Sequence, residues 1–209
     1  MPEDLVTHSI DLPSGRLRVL QPQESAELAD AGGVEWAPIA PYWSVLWRSG
    51  VALARELDGV PLAGLRVVEL GCGLALPSLA AARAGADVLA TDACRGALEL
   101  VNRNAHLNDL SVGTAKSDWA EPDELLRRAP FDVVLAADVL YEQASVDPLL
   151  SLLPRLAPEA WLADPGRPAA DEFLERAARR WAVDTRVRGV VQIHRLEPAT
   201  ASRRRSRRR

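Results

Sequence analysis

Residues 66–92, RVVELGCGLALPSLAAARAGADVLATD, constrain this chain more than any other stretch. Arg66–Leu70 is a short apolar run rich in β-branched residues that stops at Gly71, the pattern of a buried parallel strand. Gly71 and Gly73 let the backbone turn sharply and approach a ligand where a Cβ would clash. Leu74–Ala84 carries Leu74, Leu76, Leu79 and Ala80 at helical spacing. Pro77 falls in the first turn, where its missing N–H costs little. A second strand follows and closes on Asp92. Strand, Gly-x-Gly turn, helix, strand and acid make half of a nucleotide-binding α/β unit. The closing acid is placed to hold the two hydroxyls of a ribose.

The turn discriminates among cofactors. A dinucleotide fingerprint needs a glycine three residues after Gly73, and that position is Leu76. A phosphate-cradling loop needs Gly-Lys-Ser/Thr, but the single lysine of the chain is Lys116, far from the turn. Glu69 would face a pyrophosphate with like charge, whereas it suits a cofactor with a sulfonium and a free amino group. Asp92 lies 19 residues past Gly73, where either class would want it. The combination favours S-adenosylmethionine; the alternative reading is a tight turn without a ligand.

With 209 residues, 48% of them hydrophobic, the chain suffices for one domain with a substantial core. No apolar run reaches a membrane span and no secretory signal opens it, so neither a membrane partner nor export is expected. Cys72 and Cys94 lack metal spacing or a paired framework and read as reduced thiols of a cytoplasmic protein. His8, His106 and His194 are scattered, so no metal site is expected. The net charge of −4 hides an asymmetry. Six of the 25 basic residues lie in Arg203–Arg209, which leaves 19 bases against 29 acids elsewhere, a net of −10. An acidic body argues against a general nucleic-acid surface and favours a basic partner, such as a protein segment carrying lysine. The arginine tail is either a solvated terminus or a salt-sensitive contact for RNA.

Along the chain, Thr7–Leu20 reads as a hairpin about Pro13-Ser14-Gly15, and Pro22–Asp30 as a short helix ended by Gly32-Gly33. Val34–Trp43 is rich in aromatics and proline. Ser44–Leu57 reads as a helix with Ser44 as its N-cap. Beyond Asp92 come a helix (Arg95–Leu107), a strand (Val112–Ser117), a strand (Phe131–Ala137), a helix (Pro148–Leu156), a strand (Ala160–Ala163), a helix (Pro168–Arg180) and two closing strands, Trp181–Val187 and Val190–Leu196. The expected division is residues 1–60 as a hairpin and helical extension packed on the core, 61–198 as the core, and 199–209 as a disordered tail. Alternating strands and helices imply an α/β fold, with a parallel sheet covered on both faces and one antiparallel strand near the end. Glu69, Asp92, Asp118, Asp138 and Asp164 fall at five successive strand ends. Such a row would create a negative field suited to a cationic cofactor and a cationic substrate.

The order of elements resembles the class I, seven-stranded methyltransferases, which are Rossmann-like, across residues 40–200. Asp138-Val139-Leu140-Tyr141 resembles the Asp-x-x-Tyr/Phe motif of a protein-lysine methyltransferase group. Together with Pro41–Trp47 and Asp164-Pro165-Gly166-Arg167, it is most similar to the enzymes that methylate lysine in the β subunit of electron-transfer flavoprotein. The resemblance implies that Trp47, Glu69, Gly71, Cys72, Gly73, Asp92, Asp118, Trp119 and Ala137 bind the cofactor. It places Asp138 and Tyr141 at the substrate amine as the catalytic pair. Tyr42 and Trp43 would join Tyr141 in an aromatic wall for the substrate. Blander roles remain open: Asp138 as a helix cap, Trp43 and Trp47 as core packing, and Trp119 as a cover for the sheet edge. Two departures stand out. Ala75 replaces the usual third glycine, a change tolerated at negative φ. Arg48 follows Trp47 and would put a cation at the mouth of the site. The expected function is methyl transfer to a protein lysine, with the flavoprotein subunit or a ribosomal protein as candidate partners. The alternatives are a small-molecule amine or RNA methyltransferase, or a non-catalytic adaptor.

Overall fold

The computed structural model describes residues 4–30 and 42–199. The expected stop at Gly32-Gly33, most of Val34–Trp43 and the arginine tail lie outside the described residues. Strands β1 (Leu5–Leu12) and β2 (Gly15–Pro22) form the expected antiparallel hairpin, turning at Pro13-Ser14, and helix α1 (Gln23–Asp30) follows. The remaining elements are α2 (Arg48–Leu57), β3 (Arg66–Leu70), α3 (Leu76–Arg83), β4 (Asp87–Asp92), α4 (Arg95–Leu107) and β5 (Gly113–Lys116). The chain then runs through a short α5 (Asp123–Leu126), β6 (Val133–Ala137), α6 (Val146–Leu156), β7 (Glu159–Asp164), α7 (Pro168–Ala177), β8 (Trp181–Arg188) and β9 (Val191–Pro198).

Seven strands form one sheet in the order β5-β4-β3-β6-β7-β9-β8. The first five are parallel, and β9 runs antiparallel to both neighbours, which makes it the one reversed strand. Alternate residues of each central strand serve opposite faces, as the two-residue period of a strand requires. Val67, Val133, Leu135 and Trp161 pack with α2, α3, α4 and the hairpin. Val68, Val134, Ala136 and Leu162 pack with α6 and α7, around a fully buried Phe173. Each valine, leucine or phenylalanine among them contributes about 1.5–3 kcal/mol when buried. Two covered faces are why these strands read as nearly continuous apolar runs, interrupted within β3 by Glu69.

The hairpin is bound to the sheet unit by both apolar and polar contacts. Ile10, Leu12, Leu17 and Val19 join the first-face core. Asn104 of α4 and Asn108 just past its end accept from the amides of Leu20 (2.7 Å) and Arg18 (2.8 Å).

One helix boundary differs from expectation. Ser44 does not cap α2; it ends a 3-10 turn at Tyr42–Ser44, and the helix begins at Arg48 with Trp47 in the N-cap position. The Ser44 hydroxyl is buried and shares a hydrogen bond of 2.6 Å with the Ser25 hydroxyl, so it is committed elsewhere. Strand order reverses between β3 and β6, and the crevice beyond their carboxyl ends is where such sheets take ligands.

Candidate active site

That crevice is a cavity of about 850 Å3. It is lined by the β3–α3 turn, the ends of β4 and β6, Ser117–Trp119, Pro165–Pro168, and Tyr42 to Trp47 from the entry to α2. All eleven residues predicted from sequence to bind cofactor or face substrate at Tyr42, Trp43, Trp47, Glu69, Gly71, Cys72, Gly73, Asp92, Asp118, Trp119 and Ala137 border it, as do Asp138 and Tyr141. Arg48 is exposed and does not border it, which corrects the expected cation at its mouth: as the first residue of α2 it points its charge to solvent rather than into the crevice.

The turn is built around positive φ. Gly71 (62°) and Gly73 (50°) occupy the left-handed region. A Cβ on Gly73 would lie 2.8 Å from the Trp43 carbonyl oxygen, and one on Gly71 would lie 3.1 Å from Val139 and 3.5 Å from Trp119. Ala75 also has a positive φ, 59°, so the condition on which its substitution for glycine was to be tolerated is not met. The buried methyl sits in a conformation that costs about 1–2 kcal/mol. It is held there by the tight Ala75 N–H to Cys72 carbonyl bond of 2.6 Å and by the helix that starts at Leu76.

Asp92 accepts from the Gly73 amide (3.0 Å, Oδ2) and the Cys94 amide (2.8 Å, Oδ1). Each oxygen is oriented by one backbone donor and retains capacity for a further one, the arrangement a vicinal diol requires. Burial pushes its carboxyl up from the ordinary range, against the pull of those amides. Trp119 offers a ring beside the bare Gly71 backbone, and Asp118 is oriented by a 2.9 Å bond from the Ala120 amide. Volume, diol acceptors, a ring face and a glycine floor together fit a nucleoside bearing a short cationic chain.

The expected row of five negative charges is partly offset. Glu69 is wholly buried and accepts from both the amide (2.9 Å) and the hydroxyl of Ser78. Desolvation pushes it up to about 8, with Asp92 adding repulsion and Ser78 opposing. Asp164 accepts from the amides of Gly166 and Arg167, both at 2.7 Å, and from the Arg167 guanidinium at 3.1 Å. Asp138 accepts from the same guanidinium nitrogen at 2.5 Å. The acids are thus partnered by protein groups, because carboxylates this close to a buried sheet edge must be.

Also lining the cavity, Tyr42 stacks on Tyr141 (centroids 5.8 Å apart, 27° between planes) and on Trp47 (6.4 Å, 28°). The Trp47 indole N–H donates to the Tyr42 carbonyl at 2.9 Å. Trp43 is not part of this stack. Its ring lies against Gly96 of α4, where a Cβ would come within 2.9 Å of Cζ2, so Trp47 takes its expected place in the aromatic wall. Tyr42 and Tyr141 remain about half exposed. Among residues that the sequence left without a role, Ser78 holds Glu69 and Arg167 holds Asp138. The Asp164–Arg167 segment was the available signal for the second, whereas Ser78 sits unmarked inside a helix.

A family described as lysine methyltransferase matches residues 41–162. The chain is 34% identical over 121 residues to the zebrafish (Danio rerio) protein N-lysine methyltransferase METTL21A, an alignment covering 54% of this chain and 55% of that protein. It is 30% identical over 164 residues to the electron transfer flavoprotein beta subunit lysine methyltransferase of the same organism, covering 70% of this chain and 59% of that protein. The chain therefore spans somewhat over half the length of these curated relatives. Among solved structures, the T. thermophilus 16S rRNA N2 G1207 methyltransferase in complex with AdoMet and guanosine superposes with a TM-score of 0.65 at 18% identity, over 94% of this chain and 51% of that one. The ribosomal protein L11 methylase of Lactobacillus delbrueckii gives 0.62 at 18%, over 91% and 97%. These superpositions establish the class I methyltransferase fold, and with the match over residues 41–162 the chain belongs to the lysine methyltransferase family.

Proposed function

We propose that the chain transfers a methyl group from S-adenosylmethionine to a lysine ε-amine of a protein. The observation that carries this reading is the sharing of one cavity by two halves. The Gly71–Gly73 turn with Asp92 is suited to the nucleoside, and Asp138 with the Tyr42–Tyr141–Trp47 stack is suited to an amine on an alkyl stem. When bound, the donor supplies an electrophilic methyl on a sulfonium for in-line displacement.

The residues of the chain then do the positioning. Asp92 holds the ribose hydroxyls, while Trp119 and Asp118 take the face and amino edge of the adenine. Gly71, Cys72, Gly73 and the Ala137 backbone line the methionine portion, with Glu69 beneath and Trp47 at its flank. Asp138 accepts a hydrogen bond from the amine and aims its lone pair. A free lysine, with a pKa of about 10.4, enters mostly protonated, so the reactive form must be selected rather than generated by a strong base. The stacked rings hold the alkyl stem and attract the cation at their outer face. The family favours this reading over a small-molecule amine, RNA, or a non-catalytic role.

The β subunit of electron transfer flavoprotein is the first acceptor to test, on the strength of the relatives that carry its name. Ribosomal proteins come second. No helix among the described residues is long and apolar enough to cross a membrane. Cys72 and Cys94 stand as free thiols, which supports a reducing compartment, the cytoplasm. The decisive experiment incubates a proteome with labelled S-adenosylmethionine and either the unaltered protein or Asp138→Ala. Label on a discrete polypeptide, mapped to lysine and lost with the variant, is expected. Label on RNA, or equal label with both proteins, would refute the assignment.

A further inference from the structure

Resting on the methyl-transfer reading, we propose that Arg167 offsets part of the charge of Asp138 and so reduces the preference of the acceptor site for an ammonium over the neutral amine. The guanidinium is only partly exposed (27%) and its partners are nearly inaccessible: 6% for Asp138 and 3% for Asp164. Its Nη1 divides between the two acids unequally, at 2.5 Å from Asp138 Oδ1 and 3.1 Å from Asp164 Oδ2. Asp164 is already met by two backbone amides at 2.7 Å. The cation is thus the principal partner of Asp138, and the bond engages one carboxylate oxygen while the other carries no hydrogen bond among the described residues.

The consequence follows from the chemistry of transfer. An unpaired carboxylate beside the acceptor would bind the ammonium tightly, and an ammonium has no lone pair to attack with. A carboxylate already paired to a guanidinium still accepts a hydrogen bond, so it still aims the amine, but it rewards the extra proton less. Other groups border the same space. Tyr141 and Glu142 come from the loop of Asp138, Glu69 from β3, Asp92 from β4 and Asp118 from the β5 end. His194 of β9 lies near Asp164, and Asp171 of α7 also acts on it. Among the described residues that line the cavity, Arg167 is the one cation. The backbone at Asp138 does not explain the choice of acid: its φ of 58° suits asparagine as well as aspartate. Arg167 is therefore a positioning residue that acts through Asp138.

The test uses Arg167→Gln, which keeps a hydrogen-bond donor and removes the charge, and Arg167→Lys, which keeps the charge. The first readout is calorimetric and needs no acceptor. Sinefungin carries an amine where S-adenosylmethionine carries its transferable methyl. At pH 8 its affinity relative to S-adenosylhomocysteine should rise about tenfold in Arg167→Gln and stay within about threefold of the unaltered protein in Arg167→Lys. The second readout is the pH dependence of kcat with the acceptor labelled in the proteome experiment. In Arg167→Gln it should move to higher pH by about one unit, while Arg167→Lys keeps the original midpoint with a lower plateau. An unchanged sinefungin preference in Arg167→Gln overturns the inference, as does a kcat lowered equally at every pH. A displaced profile in Arg167→Lys does so too, and that variant decides alone if the neutral one does not fold. Failure of the unaltered protein to bind either cofactor analogue would instead overturn the methyl-donor reading beneath it.

Discussion

Glu69 offers the sharpest quantitative test of the buried strand edge. Its carboxyl is pushed from an ordinary value of 4.5 up to about 8, first by desolvation, with Ser78 opposing and Asp92 adding repulsion. The folded protein therefore holds a proton on Glu69 that the unfolded chain has released over the window between those values. A group whose folded pKa is raised stabilises the fold fully below its unfolded pKa, and that contribution is lost as pH rises through the folded one. Across a window from 4.5 to about 8, at 1.36 kcal/mol per unit, the loss is about 5 kcal/mol. Glu69→Gln mimics the protonated acid, retains an acceptor for Ser78 and does not titrate. In urea melts of ligand-free protein the two should have similar stability at pH 5, and the variant should lead by several kcal/mol at pH 9. Comparing the two proteins removes the titration of every other group they share. A stability difference that stays constant between pH 5 and pH 9 would refute the reasoning. The same proton has a second signature. Binding of S-adenosylmethionine at pH 6–7 should release up to one proton, measured by calorimetry in buffers of different ionisation enthalpy, and Glu69→Gln should release none.

Three further outcomes are expected. Asp92→Asn should weaken S-adenosylhomocysteine binding about ten- to a hundredfold in titration calorimetry, because charged hydrogen bonds to the diol are lost and the single amide oxygen can serve only one of the Gly73 and Cys94 amides. Gly73→Ala should lower stability by about 2 kcal/mol or more in a thermal melt, since its φ of 50° disfavours a side chain and the new Cβ would lie 2.8 Å from the Trp43 carbonyl. Tyr42→Ala should raise the acceptor KM about two- to fivefold with little change in cofactor affinity, and Tyr42→Phe should restore it, because the stack works through ring faces.

Much of the fold could be read from the sequence because it is written in local patterns. The apolar runs at Val67–Leu70, Val133–Ala136 and Ala160–Ala163 announce strands buried on both faces. Gly71 and Gly73 announce the turn, and strands alternating with helices announce a parallel sheet. Ser44 misled because a serine before a helix is a cap only if its hydroxyl is free, and here the partner, Ser25, lies 19 residues away in sequence. The aromatic wall was half legible: Tyr42, Trp43 and Trp47 are all near, but which rings share a face depends on how the entry to α2 lies over Gly96 and the β6–α6 loop.

The sequence by itself determined the order of the strands and main helices and the acids that stand along the carboxyl edge of the sheet, since these follow from periodicity and from residues adjacent in the chain. Only the tertiary structure decided what those acids are worth. Ionisation depends on burial and on partners that arrive from other elements. Ser78 reaches Glu69 from a helix, and Arg167 reaches Asp138 from a loop 29 residues away. Five acids in sequence thereby become one whose buried carboxyl is pushed up to about 8, two carboxylates sharing a guanidinium, and two, Asp92 and Asp118, oriented by backbone amides at the cavity.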